Sequence, residues 1–147
     1  MNEIDFLLRL FLAMIFGSMI GWERQKGHKP AGLRTHMLVC LGSCLFTLVS
    51  FMANTDTQSV AFDPSRIAAG VVTGIGFLGA GAIIQSQKGV IGLTTAASIW
   101  IVAAVGMAVG YGLFILGGGT AILTLIILFV LEKVEEKFPK EDVRSQD

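Results

Sequence analysis

The chain has 147 residues, 53% of them hydrophobic and 15% charged, and a mean hydropathy of +0.71. A soluble domain carries about 25% charged residues, so this composition excludes an ordinary water-soluble fold and points to a single polytopic membrane domain. Eleven Lys and Arg balance eleven Asp and Glu, so total charge offers no footing for nucleic acid.

The opening MNEIDF has no basic region and no evident cleavage site, which predicts the start of a retained helix rather than a removed signal. Five apolar segments follow, Phe6–Trp22, Met37–Ala53, Ile67–Ile84, Leu93–Val109 and Leu113–Leu131, each of 17 to 19 residues. At ~1.5 Å rise per residue such lengths approach the ~30 Å hydrocarbon core of a bilayer. The expected fold is an all-α bundle of about five transmembrane helices filling residues 1–134, with a charged cytoplasmic tail at 135–147 in which Pro139 ends the last helix. Nine of the eleven basic residues fall in the first connection, the third connection and the tail. Five spans put all of these on one side, so the N-terminus is expected outside and the C-terminus in the cytoplasm. Trp22 and Tyr111 then stand at the inner and outer interfaces, where aromatic residues anchor spans.

On the outer side, Asp5 and Arg9 are four apart in the favourable order for a helical pair. Asp63 and Arg66 lead into the third segment, where Asp63 or Ser65 suits the first turn as a cap. That segment, AGVVTGIGFLGAGA, holds Gly70, Gly74, Gly76, Gly79 and Gly81. Wound as a helix, it places Gly70, Gly74 and Gly81 along one stripe and Ala69, Thr73, Gly76 and Ala80 along another, roughly 90° round. In lipid, small residues let backbones approach closely, so this helix is expected at the centre of the bundle, and so many glycine faces suggest a homodimer. Gly17 with Gly21, and Gly106 with Gly110, form further small-residue pairs. Gly117–Gly119 either kink the last helix or admit a neighbour.

The cytoplasmic side concentrates the chemistry. Glu23 and Arg24 end the first helix, Arg34, Thr35 and His36 open the second, and Thr94 and Thr95 open the fourth. Helix N-termini present unpaired N–H groups and a positive dipole end. With two arginines and threonine caps nearby, an anion-attracting pocket is one reading. Glu23 admits three roles: an internal partner for arginine, a proton or cation site, or a charge pinned at the headgroups. Cys40 and Cys44 share a helical face with His36, which reads as small packing residues rather than metal ligands. No ionisable residue lies near the middle of any segment, where pumps and relays place theirs. No catalytic constellation, metal cage or cofactor motif emerges.

Three stretches, GWERQKGHKPAGLRTHMLVCLGSCLF, DPSRIAAGVVTGIGFLGAGAII and GLTTAASIWIVAAVGMAVGYG, closely resemble the MgtC/SapB family of bacterial inner-membrane proteins, over most of residues 17–112. Gly70 stands where that pattern has Gln, and Thr73 where it has Ser. Larger members carry a soluble C-terminal domain, and the chain is expected to be a short form without it. The resemblance implies a non-enzymatic membrane protein linked to growth at low Mg²⁺, and in some relatives to survival inside phagocytes. It implies regulation through contact with other membrane proteins, such as the F-type ATP synthase, with a small-solute or Mg²⁺ transporter as the alternative. The motif positions it singles out are Glu23, Arg24, Gly32, Leu33, Arg34, Thr35, Asp63, Arg66, Gly74, Gly76, Gly79, Gly81, Thr94 and Thr95.

Overall fold

A computed structural model describes residues 2–56, 63, 65–87 and 89–137. Five helices account for most of them: α1 (Glu3–Lys26), α2 (Leu33–Asp56), α3 (Ser65–Gly81), α4 (Leu93–Gly110) and α5 (Phe114–Lys137). α1, α2, α4 and α5 are long and apolar enough to cross a membrane, whereas α3 is a shorter apolar helix of 17 residues. The expected termination at Pro139 and the tail beyond it lie outside the described residues.

Contacts between helices fix their directions. Gly17 and Gly21 of α1 meet Cys40 and Leu33 of α2, so these two run antiparallel. Gly106 and Gly110 of α4 meet Cys40 and Thr47, so α4 runs parallel to α2. Gly79 of α3 meets Ala96, while Val72 and Met107 line one shared cavity, which makes α3 antiparallel to α4. Phe16 packs on Gly118, and Lys29 pairs with Glu132, so α5 runs alongside α1. The five helices therefore alternate, and the connection after α1, the connection before α4 and the end of α5 gather at one end.

The centre of the bundle is α4, which touches all four other helices. Nine of its 18 residues are buried, against two of 17 in α3. This overturns the expectation that the glycine-rich helix is central. A Cβ built on Gly70, Gly74, Gly76 or Gly81 meets nothing within 4 Å, and only Gly79 of that set packs, against Ala96. The close approaches belong to the other glycine pairs. A Cβ on Gly17 would lie 2.8 Å from both Cys40 Cβ and the His36 carbonyl oxygen, and one on Gly106 would lie on the Cys40 carbonyl. α1 and α4 are thus both notched by glycine against α2 at Cys40. Between spans, where burial from water contributes little, such contact density is what holds helices together. Cys40 and Cys44 are free, fully buried packing residues. Gly117 and Gly118 admit Val109 and the Phe16 ring, and α5 continues through them without a break.

α3 stops at Gly81, three residues short of the expected Ile84. The Ala82 amide closes the helix by bonding both Leu78 O and Gly79 O. A small antiparallel hairpin follows, β1 (Ile84–Ser86) with β2 (Gly89–Ile91), Ile84 opposite Ile91. Gly92 then has φ 96° and a Cβ there would fall on the Ala82 carbonyl, so only glycine fits where the hairpin closes onto α4.

Candidate functional site

At the end of the bundle shared by the α1–α2 connection and the hairpin, two polar groups are taken out of solvent. The first is Glu23 with Arg24. Arg24 is 2% exposed. Its Nε and Nη2 donate to the two Glu23 carboxylate oxygens, the second contact at 2.6 Å. Such a two-point pair satisfies a buried guanidinium that would otherwise be costly. The Arg24 carbonyl accepts from the Lys29 amide at 3.1 Å, and Lys29 Nζ reaches Glu132 Oε1 at 2.9 Å, which ties the connection to the end of α5.

The second group is His36, fully buried between α2 and α4. Its Nδ1 lies 2.8 Å from the Gly32 carbonyl oxygen and its Nε2 3.0 Å from Ser98 Oγ, while Ser98 Oγ also lies 2.8 Å from the Thr95 carbonyl oxygen. A carbonyl only accepts, so Nδ1 carries a proton. With a neutral ring, the one hydroxyl proton of Ser98 has two acceptors to serve, Nε2 and Thr95 O. The charges of both Glu23 and Arg24 act on the ring.

The structure therefore joins Glu23 to Arg24, and His36 to Thr95 through Ser98. Arg34, Thr35 and Thr94 are exposed on the first turns of α2 and α4, outside this buried set. The predicted threonine caps are replaced. Gly92 occupies the N-cap of α4, with no side-chain cap bond, and Gln25 Oε1 receives the Leu33 amide at the start of α2, at 3.3 Å. Gln25 and Ser98 had no signal in the sequence, because each acquires its partner only when two helices meet. Among the described residues, no three His, Cys, Asp or Glu side chains gather as metal ligands.

At the opposite end Asp5 accepts from the Asn2 amide at 3.1 Å, capping α1. Arg9 crosses to the end of α4, donating to the Gly110 carbonyl at 2.6 Å and lying 5.6 Å from the Phe114 ring centre. Asp63 caps α3 as expected, accepting from the Ser65 amide at 2.9 Å. These bonds to Ser65 hold the Asp63 carboxyl below its ordinary range. Between α2 and α3 lies a groove of about 910 Å³, apolar along its length, with Asp63 and Arg66 at one end.

Four long apolar helices packed through glycine contacts, with charge held at the ends, define a multi-pass helical membrane protein. The MgtC family profile matches residues 10–137, and the chain belongs to that family. It is 49% identical over 145 residues to the Escherichia coli K12 protein named "Putative magnesium transporter YhiD", covering 97% of this chain and 67% of that one. It is 38% identical over 146 residues to protein MgtC of Salmonella choleraesuis (99% and 61% covered) and 35% identical over 147 residues to protein SapB of Bacillus subtilis (97% and 63%). The chain spans about two thirds of the length of these relatives. No solved structure matches it.

Proposed function

We propose that this protein is an inner-membrane regulator tied to Mg²⁺ limitation, acting as a homodimer and through contact with other membrane proteins rather than as a catalyst. The observation that carries the reading is the contrast between two sets of glycines. Those at 17, 21, 106 and 110 are consumed by contacts inside the chain, whereas Gly70, Gly74, Gly76 and Gly81 meet nothing within 4 Å. α3 thereby presents close-approach surface that its own bundle leaves unused, with the Ala69–Thr73–Gly76–Ala80 stripe exposed and suited to a second helix. In the reading's orientation the Glu23–Arg24 end faces the cytoplasm, since Arg24, Lys26, Lys29, Arg34 and Lys133 cluster there. By resemblance, partners extend to the F-type ATP synthase.

The second reading is a Mg²⁺ or small-solute transporter, which the name of the Escherichia coli relative supports. Against it stands the tight packing of α1 and α4 on α2 at Cys40, which leaves no gap between these helices there. Mg²⁺ flux into intact proteoliposomes separates the two. Absence of flux, with dimer cross-links through a Thr73→Cys variant, is the expected result. Flux that a folded Glu23→Gln variant loses would overturn the regulator and place Glu23 on an ion path. Arg34→Ala, at an exposed position, is expected to weaken partner cross-linking while leaving accumulation in the membrane unchanged.

A further inference from the structure

The groove between α2 and α3 has two features that belong together. Along its length it is apolar, walled by Leu38 and Phe46 on one side and by Ile67, Val71, Ile75 and Leu78 on the other. Its width comes from Gly70 and Gly74, which line it and whose missing side chains would have met nothing. From Arg66 to Leu78 it runs about 18 Å at helical rise, close to the roughly 15 Å depth of one leaflet's hydrocarbon. At one end, and there alone among its described lining residues, it carries charge: the Asp63 carboxylate and the Arg66 guanidinium, both exposed.

We propose that this groove holds an acyl chain of a phospholipid whose headgroup carries both a phosphate and a primary amine. Arg66 takes the phosphate, for which a planar guanidinium is well shaped. Asp63 takes the ammonium. One cation and one anion at the mouth complement a zwitterionic headgroup, whereas a purely anionic lipid would set its charge against Asp63. The lipid is drawn from the leaflet on the side where α3 begins, and its chain fills the space that keeps α3 apart from α2. The regulatory reading draws on the same helix: the lipid takes the side lined by Gly70 and Gly74, which leaves the stripe of Ala69, Thr73, Gly76 and Ala80 for a second copy.

The test is native mass spectrometry of the purified full chain in detergent. Phosphatidylethanolamine, phosphatidylcholine and phosphatidylglycerol of equal chain length are added in turn. The expected result is preferential retention of phosphatidylethanolamine by about tenfold, the factor that loss of one charge-assisted contact gives. Arg66→Gln lowers retention of all three lipids. Asp63→Asn removes the preference for the primary amine. Gly70→Leu and Gly74→Leu fill the groove and abolish retention without lowering the melting temperature. Equal retention of the three lipids, or retention unaffected by Gly70→Leu, would overturn the proposal. So would a dimer that Gly74→Leu dissociates with no lipid bound to the wild type, since a second copy would then occupy the groove. If a leucine variant does not fold, the surface changes at Asp63 and Arg66 decide the matter alone.

Discussion

Gly106→Ala tests whether backbone contact between α2 and α4 holds the bundle. The added methyl would fall on the Cys40 carbonyl oxygen, 2.9 Å from its carbon and 3.1 Å from the Cys40 Cα, all backbone atoms. Ordinary contact begins near 3.4 Å, so the clash with the carbonyl oxygen requires the two helices to part by roughly 1 Å, and no side chain can rotate away to spare them. Overpacking of this kind costs about 1–3 kcal/mol, and the rigid neighbour places it at the upper end. The same displacement stretches the 3.0 Å contact between His36 and Ser98 beyond hydrogen-bonding distance, which adds about 1 kcal/mol. A loss of roughly 3–4 kcal/mol is expected. Gly76→Ala is the control: its methyl meets nothing, and helix propensity alone favours it by up to about 1 kcal/mol. Thermal unfolding of both variants in the same detergent is the assay. If Gly106→Ala melts with the wild type, the notched packing of α4 against α2 is not what stabilises the fold.

Three further outcomes are expected. Glu23→Gln leaves the Arg24 guanidinium buried without a counter-charge and lowers stability by about 3 kcal/mol, most of which the double change Glu23→Gln with Arg24→Met recovers; unfolding of the two variants side by side measures it. Arg9→Gln removes the cation and donor from the last carbonyls of α4 and costs about 1–2 kcal/mol, with faster hydrogen exchange expected at Tyr111 and Gly112, whose amides bond Met107 O and Val109 O. Asp63 has a folded-state pKa below its unfolded value, so the stability of its cap is present above the unfolded value and is lost as pH falls through the folded one. Protection of the Ser65 and Arg66 amides should therefore hold at pH 6 and drop below roughly pH 3.9, and Asp63→Asn should abolish that dependence.

The positions of α1, α2, α4 and α5 were legible because each is a long apolar run, broken only by Arg9 near the start of α1 and bounded by charge or glycine. The Asp63 cap was legible because the carboxylate and its amide partner are two residues apart. The pairs Gly17–Gly21 and Gly106–Gly110 were visible as small-residue spacings, and they are the ones the bundle uses. The Glu23–Arg24 pair sits on adjacent residues, yet Arg24 is buried only once the bundle packs around it. Ser98 became part of a site only because α4 lies parallel to α2 and sets it beside His36, 62 positions away in the chain.

By itself the sequence determined that the chain spans a membrane in alternating helices with its basic connections at one end, because hydropathy and charge act locally along the chain. It also determined that small-residue pairs at helical spacing offer close helix contacts, because glycine lets backbones approach in lipid. It did not determine which glycines make those contacts. A small residue permits approach from any neighbour, and the stripes of α3 read as well as those of α4. Only the tertiary arrangement chose between them, because α1 and α4 both pack on α2 at Cys40 and leave α3 at the periphery, leaning on α4 with its glycines open.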